Sequence, residues 1–106
     1  MSTIVAQLQH TQQRLLRLNR SSYTVADQHA LQEMLLTTIL ELQALYFDTL
    51  DSSQRIRLLH CLSVLEQEIP LYGSPVETSL LAWQHLHESL LTCIDISVSA
   101  QLCSVP

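Results

Sequence analysis

Apolar residues recur along the chain at steps of three and four, the spacing of one face of an α-helix, and never alternate over a strand-length run. Ile4, Leu8, Thr11, Leu15 and Leu18 make the first stripe, with Thr11 its weakest member and glutamines and arginines on the other faces. Asn19-Arg20-Ser21-Ser22 has poor helix propensity and should end it. Thr24 is placed to cap a second helix, and Asp27, three residues on, adds negative charge to its first turn. That helix carries three apolar rows: Leu31, Leu35, Thr38, Leu42, Leu45 and Thr49; then Met34, Ile39, Tyr46 and Leu50; then Leu36, Leu40 and Phe47. A helix apolar on so many faces is expected to be central and the most buried of all.

Asp51-Ser52-Ser53-Gln54 has the form of a capping box and restarts a helix after a very short turn. Leu58, Leu62, Leu65 and Ile69 line it, and Ile56, Leu59 and Cys61 widen the stripe. Pro70 is expected to stop this helix, leaving Leu71-Tyr72-Gly73 as the turn. Ser74-Pro75-Val76-Glu77 then combines a capping Ser, Pro at the first helical position and Glu at the third, the strongest local signal in the chain. The fourth helix places Val76, Leu80, Trp83, His87, Leu90 and Ile94 on one stripe, with Thr78, His85, Glu88, Thr92 and Asp95 mainly opposite. Beyond Asp95 the pattern weakens, so residues 96–106 read as a frayed helix end or an extended tail. The expectation is an all-α fold: one domain over residues 1–106, a small antiparallel bundle of about four helices, associated as a dimer or with a partner chain.

Composition sharpens that picture. At 106 residues there is room for one domain, and only 14% of residues are charged, against ~25% in typical domains. Leucine alone fills 22 positions, so disorder is excluded. No apolar run approaches the ~18 residues of a membrane span, and the first residues lack the basic and apolar regions of a secretion signal. A cytoplasmic location and no membrane contact are therefore expected. The net charge of −5 argues against nucleic acid, whose binding rests on many phosphate-neutralising cations.

Lysine is absent, and Arg14, Arg17 and Arg20 all precede the first acid. Stepping by three, they form either an ordinary solvated face or a cationic strip that docks on an acidic protein surface or on phosphate. Cys61, Cys93 and Cys103 have no CxxC spacing and read as reduced, mostly buried small side chains. His60-Cys61 are adjacent and His85/His87 two apart, so neither pair shares a helical face for zinc or for nucleophilic catalysis. Glu66 and Glu68 also point apart, solvated near their helix end, and fail as a catalytic pair. There is no Gly-rich phosphate loop and no HExxH. Neither an enzyme nor a cofactor or metal site is expected. His87, on an apolar stripe, reads as a satisfied core or boundary histidine, and Trp83 as a core anchor with a binding hot spot as its alternative.

Association is the stronger reading. The second helix needs cover on three sides, whereas a single four-helix bundle of this length supplies neighbours on only about two, and few charges remain to coat a monomer. The leading function is a non-enzymatic protein-interaction module: an adaptor, chaperone or regulatory inhibitor acting through an apolar helical surface, with a protein partner or as a homodimer. Leu42, Tyr46, Phe47, Trp83 and Leu86 are the candidate anchors, beside the Arg14/Arg17/Arg20 strip. The alternative is a small helix-turn-helix regulator, with Arg55 and Arg57 opening its recognition helix.

Overall fold

Four helices follow one another: α1 (Thr3–Arg17), α2 (Val25–Asp48), α3 (Ser52–Tyr72) and α4 (Leu80–Cys103). The computed structural model describes residues 3–49, 51–72 and 80–103, with the main chain alone at 69–72 and 100–103. Among the described residues there is no strand, so the all-α bundle follows from the periodicity as expected.

The starts of α2 and α3 are built by the residues the sequence marks for them. The Thr24 hydroxyl accepts the Asp27 N–H at 3.1 Å, and the Asp27 carboxylate accepts the Thr24 N–H at 3.0 Å. This is a full reciprocal box, satisfying N–H groups that a helix start otherwise leaves bare. At α3, Asp51 Oδ1 accepts the Gln54 N–H at 3.1 Å and the Ser53 hydroxyl at 2.6 Å. The Ser53 bond first, then the Gln54 N–H, hold the Asp51 carboxyl below its ordinary range. Both features stabilise the charged form of the cap.

Three expectations change at the helix ends. Pro70 does not stop α3, which continues to Tyr72 and takes in two residues assigned to the turn. Proline forfeits its own bond to the carbonyl four residues back, and tertiary packing of α3 on α2 and α4 overrides a cost confined to the last turn. The Ser74-Pro75-Val76-Glu77 start, Gly73, Thr78 and the side chain of Ile69 lie outside the described residues. The segment beyond Asp95 is helical through Cys103, with Ser97 and Val98 buried.

The helices form a ring in which α1 touches α2 and α4, and α3 touches α2 and α4. Among the described residues, α2 and α4 also meet across the ring while α1 and α3 do not. The cross-section is therefore a rhombus with α2 and α4 on its short diagonal. This corrects the expected two neighbours for α2: it has three, because the diagonal contact adds α4 to the two flanking helices. Its first row is wholly buried from Leu31 to Thr49, with Met34 and Ile39 beside it, while α4 buries Trp83, Leu86, His87, Leu90, Cys93, Ile94, Ser97 and Val98. The centre is thus shared by two helices and not held by α2 alone.

Thr38 sits fully buried in that row, and among the described residues its hydroxyl has no hydrogen-bond partner. An unmet buried hydroxyl costs about 1–3 kcal/mol, and valine has nearly the same shape without it. Thr38→Val should raise stability by about 1 kcal/mol, or about 4 °C in Tm. Thermal unfolding followed by circular dichroism checks this. A lower Tm would mean that the hydroxyl is bonded.

Candidate functional site

The eight residues that the sequence offers for binding divide into three places. Leu42 and Leu86 are fully buried and Trp83 nearly so. This corrects their reading as partner anchors, because the α2–α4 contact encloses all three inside the chain. Tyr46 is half-buried and Phe47 is 78% exposed. Arg14, Arg17 and Arg20 are exposed at and beyond the C-terminal turn of α1.

The arginine strip is not one uniform surface. Arg20 Nη1 lies 3.0 Å from Glu88 Oε1 on α4, and the Arg20 carbonyl accepts the Gln84 Nε2–H at 2.7 Å. The ion pair is exposed on both sides and stabilises by roughly 0–1 kcal/mol at most. Its effect is to seat the α1–α2 connection on α4. Arg14 and Arg17 remain as two exposed guanidiniums near the negative end of the α1 dipole, where cations are favoured.

Beside that seat is a buried polar knot. His87 is 1% exposed, with Nε2 at 2.6 Å from the Leu15 carbonyl and Nδ1 at 2.9 Å from the Tyr23 hydroxyl. A carbonyl only accepts, so Nε2 carries the proton and Nδ1 accepts the Tyr23 O–H. The two rings meet edge-on with centroids 5.8 Å apart. Burial is the largest influence on His87 and pushes its pKa down; the Leu15 bond opposes this, Arg20 adds to it and Glu88 opposes it. Burial likewise raises the Tyr23 phenol, which keeps it a donor. The knot fits the core-histidine reading of His87, and it ties α1, the connection after it and α4 together.

Large apolar side chains are exposed on all four helices, Leu16 on α1 and Leu81 on α4 among them, and three form a row on α2. Leu36, Leu40 and Phe47 are 54%, 66% and 78% exposed, and fall within about 60° of one another around α2. On α3, Ile56 and Leu59, expected to widen the buried stripe, are exposed, whereas Cys61 is buried. Where α2 turns into α3 the Tyr46 and Phe47 rings pack edge-on with centroids 5.7 Å apart, and Arg55 Cζ lies 4.5 Å over the Tyr46 ring. A cation held over a ring in this way contributes about 0.5–1 kcal/mol at an exposed site. Arg55, offered by the helix-turn-helix reading for DNA, is thus engaged on the protein's own surface.

A groove of about 270 Å³ runs between α3 and α4, and a second recess of about 490 Å³ shares His60, Cys61 and Ile96 with it. Near its edge His85 Nε2 donates to Glu68 Oε1 at 3.0 Å. Glu68 is only 6% exposed, which corrects its reading as a solvated acid. Its position follows Cys61 and Leu65 at steps of four and three on the inward face of α3. That spacing was the signal which its charge obscured. Its second oxygen has no partner among the described residues. Those residues hold no group of three or more His, Cys, Asp or Glu able to bind a metal ion.

No protein-family model, curated protein or solved structure matches this chain. No described helix is long and apolar enough to cross a membrane.

Proposed function

We propose that this chain is a non-enzymatic protein-interaction module that associates through the α2–α3 face, first of all with a second copy of itself. The observation that supports this reading is the row Leu36, Leu40 and Phe47, whose side chains are more than half exposed. A row of large apolar side chains in water marks a contact surface, and Phe is among the residues enriched in the cores of such surfaces. Between Leu36 and Phe47 the only charged residue is Glu41, half-buried and with its pKa raised by that burial. A nearly uncharged apolar face suits a two-fold contact, in which each copy presents the same patch and no charge complement is needed.

In this reading Phe47 is the anchor, Leu36 and Leu40 extend the apolar strip along α2, and Leu59 widens it on α3. Tyr46 is held in place by Arg55 and supports the Phe47 ring from one side. An adaptor, a chaperone and a regulatory inhibitor are the classes that such a surface serves, and a different protein chain is the alternative occupant. Size-exclusion chromatography with light scattering is the test. The expected mass at micromolar concentrations is that of two chains; a single-chain mass throughout would contradict self-association.

A further inference from the structure

Cys61 on α3 and Cys93 on α4 face each other across the helix contact at the floor of the groove, which both residues line. Each sulfur lies 4.0 Å from the other residue's carbonyl oxygen, so each S–H is directed at its neighbour across the helix contact. Two cysteines paired in this reciprocal way on neighbouring helices have their side chains directed at each other, which a disulfide requires before any other condition. Chance burial of two small side chains calls for neither the pairing nor the groove above it. Both side chains are buried, and Cys61 lines the adjoining recess as well as the groove, which puts two openings beside it.

We propose that Cys61 and Cys93 are a redox-active pair that closes to an interhelical disulfide when a hydroperoxide enters the α3/α4 groove. This goes beyond the association reading and does not depend on it. Cys61 is the attacking sulfur. The pairing with Cys93 lowers the pKa of the Cys61 thiol against the opposing effect of burial, while the same pairing raises that of Cys93. The Ser97 hydroxyl donates its one proton to the Cys93 carbonyl at 2.8 Å and so holds the Cys93 main chain in place.

The steps balance. The Cys61 thiolate displaces hydroxide from the peroxide and becomes a sulfenic acid, the displaced hydroxide taking up the thiol proton as water. The Cys93 sulfur then attacks the Cys61 sulfur, the S–O bond breaks, and the leaving hydroxide takes the Cys93 proton as a second water. Each sulfur has lost one electron and the peroxide has gained two. The new bond closes a loop that includes the whole α3–α4 connection and adds a covalent tie to the packing and the His85–Glu68 bond between the two helices.

The test uses the full chain, reduced and freed of reductant, then treated with hydrogen peroxide at a small molar excess. Intact mass should fall by two hydrogens per chain, and a non-reducing peptide map should join the Cys61 peptide to the Cys93 peptide. Tm should rise by roughly 10 °C and return to its starting value with dithiothreitol. In Cys93→Ala the reaction should stop at a Cys61 sulfenic acid that dimedone labels. In Cys61→Ala, Cys93 should keep its free thiol at the same dose. Three free thiols persisting in the treated wild-type chain would overturn the proposal. So would a crosslink through Cys103, or oxygen added at Cys61 and Cys93 without a bond between them.

Discussion

Leu42→Ala should lower the melting temperature by on the order of 10–15 °C, from a loss of about 3 kcal/mol. Leu42 is fully buried on α2, in the row that faces the other three helices, and the rhombic cross-section leaves its surroundings little freedom to collapse into the space. The cost combines the lost transfer of three carbons with the cavity left behind. Phe47→Ala removes a larger side chain, yet at concentrations where the chain is dissociated it should change stability by no more than about 0.5 kcal/mol, because the ring is already in water. The pair of measurements separates core from contact surface, two roles that sequence patterning gave to both residues alike. Similar losses for both substitutions would contradict the burial described for α2.

His87→Leu should cost about 2–4 kcal/mol and remove a pH dependence along with it. The substitution leaves the buried Leu15 carbonyl without its 2.6 Å donor and the Tyr23 hydroxyl without its acceptor. Because burial depresses the folded-state pKa of His87 below that of the unfolded chain, the unfolded state takes up a proton first as the pH falls. The stability supplied by neutral His87 is therefore full above about pH 6.5. It is lost as the pH drops below that value, at no more than about 1.4 kcal/mol per pH unit, and levels off below the folded-state pKa. Urea unfolding between pH 8 and pH 5 should show the advantage of wild type over His87→Leu shrinking toward the acid end. An advantage that grows with acid would mean that His87 is held in its charged form.

What was legible in the sequence follows from which forces are local. Capping is local: Thr24 and Asp51 announce their helices because the acceptor and the N–H it serves are three residues apart. The row from Leu31 to Thr49 is legible because one helix side repeats at a fixed angle, and all of it is buried. The facing of that row was not legible. Leu36, Leu40 and Phe47 are as apolar as the buried rows, and only the positions of the other helices decide that this row stays outside. The partners of His87 lie on α1 and the connection that follows it, more than sixty positions away, so spacing on α4 carries no trace of them. Cys93 and Ser97 continue the inward row of Leu86 and Leu90 at steps of three and four. The mixed polarity of that stretch made it read as an ending, although the Ser97 hydroxyl is satisfied within the helix by the Cys93 carbonyl.

Two glutamates placed in the α2 row test the association surface most directly. Leu40→Glu/Phe47→Glu puts two like charges on a face that is already exposed, so the bundle should fold and melt as the dissociated wild type does. Light scattering should then report two chains for the wild type and one for the variant at the same micromolar concentration. Equal masses for the two proteins would place any contact elsewhere on the molecule and remove Leu36, Leu40 and Phe47 from it.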